Sequence, residues 1–418
     1  MHSFKKFELS NGLRVIHLED KSRTTIVLNT LYNVGARDES PNRTGFAHLF
    51  EHLMFSGSAN VPCFDKEVEE AGGQNNAFTT NEITNYHLVI PRENIETAFW
   101  LESDRMKSLN MNEKSLSVQR GVVVEEFKQR CFNAPFGFLW HHIRKLVYTN
   151  SPYRWPTIGE AIEHVETANL DEVQAFYNQF YAPQNAVVSI VGNISLRQTK
   201  LLCEKWFGDI KKLAPANQNN YIQEEKIHSR RFFESIDPSP NPAVFLVWKG
   251  PVFLDPTSIY LELFADMLGG SDVSPLQIEL VKNKQLLNAA ECFYLRGLGE
   301  GLFILYGIMN EGVTHLTCEK ALLDVCKSLF LPSSKLKKSL QGVVNRQLSN
   351  LLFEAVQPMQ LAQKLCYYEN AGNLEGINKE VSQLENTDIT HILKAASATL
   401  TDDSVSVIYY HPQKNDRL

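Results

Sequence analysis

Apolar and polar positions alternate through the first part of the chain. FELSNGLRVIHLED sets apolar residues at alternate positions on both sides of Asn11-Gly12, which predicts a hairpin closed by a tight turn. TTIVLNTLYNVG is β-branched with the same alternation and predicts a central strand. From Thr44 to Phe55 the apolar spacing becomes helical, with Thr44 as N-cap and Gly57 as the stop. FDKEVEEAGG predicts a short helix closed by Gly72-Gly73, and QNNAFTTNEITNYHLVIP predicts a strand, a turn and a second strand. ENIETAFWLESDRMKSL and the stretch from Asn112 to about Arg130 read as amphipathic helices. NSPYRWPTIG, with Pro152 and Pro156, is a rigid aromatic loop; LDEVQAFYNQFY follows as a helix and NAVVSIVGNI as a strand.

The pattern breaks in KKLAPANQNNYIQEEKIH, which is polar, proline-bearing and weakly periodic. This predicts an N-terminal domain over 1–212, a linker over 213–228 and a C-terminal domain over 229–418. Past the linker the order of elements begins again. AVFLVWKG reads as a strand, SIYLELFADML and PLQIELVKNK as helices, GLFILYGI as a strand. Helices follow from about Thr317 to Leu331 and from Ser334 to Leu352. The last strand, SVSVIYYHP, resembles NAVVSIVGNI in kind and in place, which points to an internal duplication. Interleaved helices and strands predict an α+β layered fold with helices packed on sheets.

Composition narrows the classes. The 418 residues are 43% hydrophobic and 21% charged, ordinary for a globular chain. A formal net charge of −7 argues against a general nucleic-acid binder. The cysteines (63, 131, 203, 292, 318, 326, 366) are scattered without a CxxC, which reads as reduced thiols. MHSFKKFELSNGL has lysines but no apolar core after them, so no secretory signal is visible. The expectation is a cytoplasmic protein, with the periplasm left open. The apolar stretches fall well short of the ~18 residues that span a bilayer.

One polar cluster interrupts an apolar run: HLFEHLMF, from His48 to Phe55. On a helix, residues three and four apart share a face. His48 and His52 then stack one turn apart with Glu51 beside them. Imidazoles so placed can grip one Zn2+ from the same side, and Glu51 stands ready to handle protons. The order H-x-x-E-H is the inverzincin signature. A catalytic zinc takes three protein ligands and keeps one position open. QRGVVVEEFKQR offers the third, with one of the adjacent Glu125 and Glu126 facing the site.

His48, Glu51 and His52, with the downstream acidic pair of VVVEEF, resemble peptidase family M16, the pitrilysin and mitochondrial-processing-peptidase group. Chain length and element order resemble its shorter M16B-type bacterial branch. The resemblance implies that Glu126, the second of the pair, is the ligand, giving one zinc per chain. It implies two homologous α/β-roll halves with mixed, mostly antiparallel sheets, enclosing a chamber. AGGQNNAFTTNEITNY resembles the family's substrate-pairing strand, which implies substrate contact at Asn76, Ala77 and Thr79. SPYRWPTIG resembles its substrate-side loop, and LGGSDVSPLQIELVKNKQL its glycine-rich turn in the second half. Two positions depart from the pattern. Gln119 stands where many members carry an assisting acid. In VSPLQIEL, Pro275 and Gln277 stand where active members carry an Arg and a Tyr. The resemblance therefore implies a hetero-oligomer in which a homologous subunit supplies those groups; a homodimer is the other arrangement.

The leading expectation is a zinc endopeptidase that cleaves peptides or unfolded segments held as an added β-strand. A non-catalytic scaffold or binding subunit of the same fold is the alternative, favoured by Pro275 and Gln277. A zinc hydrolase of a non-peptide substrate is a third reading, opposed by the strand-like NNAFTT. Tyr86 and His87 read as structural strand residues. His141 and His142 are adjacent, so they diverge on a helix and do not form a second metal pair.

Overall fold

The alternating segments build two mixed sheets. The computed structural model describes residues 3–213, 227–331 and 334–413. The first sheet joins β1 (Lys5–Glu8), β2 (Arg14–Glu19), β3 (Thr25–Tyr32), β4 (Gln74–Thr79), β5 (Thr84–Pro91) and β6 (Ala186–Gly192), in the order β1-β2-β6-β3-β5-β4. The second joins β7 (Arg231–Asp237), β8 (Ala243–Gly250), β9 (Leu287–Leu295), β10 (Gly301–Met309) and β11 (Ser406–Pro412), in the order β7-β11-β8-β10-β9. Each sheet has one parallel pair, β2 with β6 and β7 with β11, and its other pairs are antiparallel. With β7 laid on β2 and β11 on β6, the second sheet repeats the first strand for strand, without a counterpart of β1. The duplication hinted at by the two terminal strands is real at the level of topology.

The helices are α1 (Phe46–Leu53), α2 (Phe64–Glu70), α3 (Ile95–Lys107), α4 (Glu113–Phe127), α5 (Leu139–Val147), α6 (Ile162–Glu166), α7 (Leu170–Phe180), α8 (Leu196–Phe207), α9 (Thr257–Gly269), α10 (His315–Ser328), α11 (Ser334–Val356), α12 (Pro358–Asn370), α13 (Glu380–Glu385) and α14 (Ile389–Thr399). PLQIELVKNK forms a π-helical turn over Gln277–Asn283 rather than an ordinary helix, and a second π turn, Lys128–Phe132, follows α4. Strands β7 and β9 and helices α5, α6, α8, α12, α13 and α14 were not foreseen from the apolar pattern. Among the described residues, no helix is long and apolar enough to cross a membrane.

The chain forms two compact units, and they do not coincide with the sequence halves. Residues 128–154, which include α5, belong to the second unit, and residues 351–380, which include α12, belong to the first. Each half thus lends a helix to the other half's sheet. The linker expected over 213–228 lies largely outside the described residues.

Strand alternation shows how the first sheet is covered. On one face, Thr30 of β3 donates to Glu102 of α3 at 2.9 Å. On the other, His87 of β5 meets Gln363 of α12 at 3.3 Å, and Ser189 of β6 donates to the Ala362 carbonyl at 2.8 Å. The central strands β3 and β6 are therefore covered on both faces and are almost uninterrupted runs of buried side chains. At the hairpin, Gly12 adopts φ 86°, a conformation that favours glycine.

Candidate metal centre

α1 presents the polar cluster, and its start is built differently from the sequence expectation. The N-cap is Gly45, at φ 89°, not Thr44. Glycine carries no capping side chain. Glu39 supplies the cap from upstream: its two carboxylate oxygens accept from the Gly45 and Ala47 N–H groups at 2.9 and 2.8 Å. Burial pushes the Glu39 carboxyl well above its ordinary range, and the two N–H donors pull against that shift. Thr44 instead sits at 2.8 Å from His164 and accepts from the Glu160 N–H at 2.7 Å.

The apolar side of α1 is anchored by aromatic packing. Phe50 stacks on Phe176 and Tyr181 with ring centres 5.3 and 5.0 Å apart. Tyr86, fully buried, donates to the Phe50 carbonyl at 3.3 Å. Beneath it the Arg105 guanidinium lies 4.3 Å from the Tyr86 ring centre and pairs with buried Glu102. Tyr86 is thus a core residue, as expected from its strand. With the apolar face fixed, His48 and His52 share the opposite edge of the helix, ring centres 5.0 Å apart and nearly perpendicular.

α4 brings the acid. Leu116, Val123 and Phe127 bury its inner face, and Glu126 stands half-buried beside them while Glu125 is exposed. Of the acidic pair, Glu126 is the one beside the histidines: its Oε2 lies 3.5 Å from His48 Nε2 and 3.4 Å from His52 Nε2. Gln119, two helical turns earlier, donates to the Ser56 hydroxyl at 3.1 Å.

His48, His52 and Glu126 each offer a donor atom within 4.8 Å of the others, and they are the only such group of three among the described residues. The carboxylate–imidazole separations exceed the ~2.7–3.2 Å of an ordinary hydrogen bond. They match the roughly 3.3–3.5 Å between donors arranged tetrahedrally at about 2.0–2.1 Å around one zinc ion. The donor set, imidazole nitrogens with a carboxylate, suits zinc. Glu51 is on the same helix, and its Oε2 accepts from Thr79 Oγ1 at 2.7 Å.

Thr79 ends β4, the edge strand, which among the described residues pairs with β5 alone. The ladder parity is fixed by two bonds. The Thr80 N–H donates to the Ile83 carbonyl, and the Arg92 N–H donates to the Thr24 carbonyl. Antiparallel strands alternate bonded and non-bonded pairs. Asn76 and Phe78 therefore bond to β5, while the main-chain groups of Asn75, Ala77 and Thr79 point away from it. The Asn76 side chain confirms this by accepting from the outward Ala77 N–H at 2.8 Å. The structure thus brings Asn76, Ala77 and Thr79 to one open edge beside α1. Pro275 and Gln277 lie in the second unit, where Gln277 donates to the Ala290 carbonyl at 2.9 Å. His142 is held by Tyr410 at 2.7 Å.

Sequence reasoning missed Glu39, because GARDESPNRTG carries no signal that its glutamate caps a helix several residues on. It also missed that the Thr79 side chain faces Glu51.

Two α/β units of one strand order, the first with a histidine–glutamate group that could hold a metal ion beside its edge strand, define a duplicated α/β protein with a candidate metal centre. The chain matches the family description "Insulinase (Peptidase family M16)" over residues 14–139 and "Peptidase M16 inactive domain" over 167–329. It belongs to peptidase family M16. It is 27% identical over 412 residues to the zinc protease PqqE of Helicobacter pylori, covering 97% of this chain and 92% of that protein. It is 23% identical over 311 residues to the probable mitochondrial-processing peptidase subunit beta of Arabidopsis thaliana, covering 72% of this chain and 58% of that one. A solved structure of a protease from Helicobacter pylori superposes with a TM-score of 0.93 at 26% identity, covering 99% of this chain and all of the other.

Proposed function

We propose that this chain is a zinc-dependent endopeptidase acting on extended peptides or unfolded segments. The observation that carries the reading is the convergence of His48, His52 and Glu126 on one point beside both Glu51 and an open strand edge. His48, His52 and Glu126 would hold the metal. A zinc ion there supplies Lewis acidity toward a water and the scissile carbonyl. Glu51 accepts the proton of the attacking water and delivers it to the leaving amine. The outward main-chain groups of Ala77 and Thr79 receive the substrate as an added strand, and the Asn76 amide oxygen yields the Ala77 N–H to it. Pairing of this kind reads backbone, so sequence preference is loose and extended substrates are favoured.

The Arg and Tyr that active members carry are absent at Pro275 and Gln277, and Gln277 is engaged within its own unit. A homologous subunit supplying them completes the proposal. Losing one oxyanion donor costs about 10²–10³ in rate. The second reading, a non-catalytic subunit, rests on the same two residues and on the "inactive domain" match over 167–329. A quenched-peptide assay on the zinc-loaded chain, alone and as the complex purified from its native host, separates them. Cleavage in either form, lost in Glu51→Gln, supports the endopeptidase. Zinc present with no cleavage by either form supports the scaffold.

A further inference from the structure

The Thr79 hydroxyl and the Thr79 main chain serve different neighbours. The hydroxyl donates to Glu51 Oε2 at 2.7 Å, while the main chain, by the ladder parity, lies on the outward edge of β4 with that of Ala77. We propose that Thr79 is a positioning residue that ties the substrate-receiving edge to the Glu51 carboxylate, so that docking a peptide strand and placing the proton acceptor depend on one residue. The inference rests on the endopeptidase reading and deepens it.

Three physical points support it. Glu51 sits on the short helix α1 with three side-chain torsions, and such a side chain loses appreciable rotamer freedom when it is fixed. A short hydrogen bond from a strand residue narrows the choice among those rotamers. Threonine is β-branched and stiff at χ1, so its hydroxyl is itself aimed. The Thr79 bond occupies one of the about four lone-pair sites that a carboxylate's two oxygens offer. The side chain expected to touch substrate is thus turned toward the helix, and only its backbone is left to meet a peptide.

The test uses the full-length zinc-loaded chain, with its partner if activity requires one, and the variants Thr79→Val and Thr79→Ser. Thr79→Val is isosteric and cannot donate. It should lower kcat about 10–100-fold through a misplaced acceptor, with zinc content unchanged and KM within about twofold. Thr79→Ser should recover kcat to within about threefold, because the donor returns. Peptide affinity, measured without turnover in the Glu51→Gln background, should be the same with Thr or Val at 79. The thermal midpoints of Thr79→Val, Glu51→Ala and the double variant should be non-additive, since each single change removes the same bond. Wild-type kcat in Thr79→Val overturns the proposal, as does failure of Ser to rescue. A rise in KM and Kd that accounts for the whole loss also overturns it and makes Thr79 a substrate contact. If wild type cleaves and Thr79→Val is unaffected, this inference alone falls. If wild type holds zinc and never cleaves, the endopeptidase reading falls and takes this one with it.

Discussion

Glu125 and Glu126 differ by one position and have opposite surroundings. One helical step of about 100° carries the first into solvent and sets the second 3.4–3.5 Å from two imidazole nitrogens. Glu126→Gln should therefore weaken zinc binding about 10–100-fold in a chelator competition, while Glu125→Gln leaves it within about twofold. Equal effects would show that the ion sits elsewhere. Much at this scale was legible beforehand: i, i+4 spacing alone placed His48 and His52 on one face. Which acid of the pair stands beside the histidines was only half legible, because adjacent residues on a predicted helix cannot be ranked until the buried face is known. Glu39 and the Thr79–Glu51 bond were illegible, because both join residues whose separation follows from loop paths rather than from periodicity.

Among the elements, β4 is the informative one. It is short and half-exposed along its length, and among the described residues it pairs on one side only. Edges of this kind are normally blunted, and here the Asn76 side chain covers the Ala77 N–H. A peptide paired to the edge must present groups complementary to the outward N–H and C=O of Ala77 and Thr79. N-methylation of a substrate at alternate residues tests this. Methyl groups at positions whose N–H faces β4 should raise KM at least about tenfold, and shifting the pattern by one residue should leave KM nearly unchanged. A uniform response to both patterns would mean that the peptide is not held as a strand. The strand itself was readable from NNAFTT, but its place at an edge was not, since alternation gives a strand its faces and not its neighbours.

For the whole molecule, duplication and exchange are both present. The two sheets share one strand order, and the helix between β8 and β9 that answers to α1 is α9, whose SIYLELFADML lacks the histidines. The repeat was faintly visible in the sequence, because similar strands end each half. The exchange of α5 and α12 was not, because neither helix was read from the apolar pattern, and such a pattern would not show which sheet a helix covers. Leu361, Ala362, Leu365 and Cys366 of α12 are buried against the first sheet, with the Cys366 thiol reaching the Val187 carbonyl at 3.5 Å. A fragment ending at residue 213 leaves that face bare. It should be insoluble or lack a cooperative thermal transition, and co-expression with 229–418 should restore both. A well-folded 1–213 fragment would contradict the assignment of α12 to the first unit.

The central claim is that this chain cuts peptides by using Glu51 as a base beside a zinc ion held by its neighbours. It is tested most directly by measuring zinc content and peptide turnover on the same preparations of wild type and Glu51→Gln. The account predicts about one zinc per chain in both, with turnover at least about 10²-fold lower in the variant. Turnover by Glu51→Gln at the wild-type rate, with the ion in place, would contradict it.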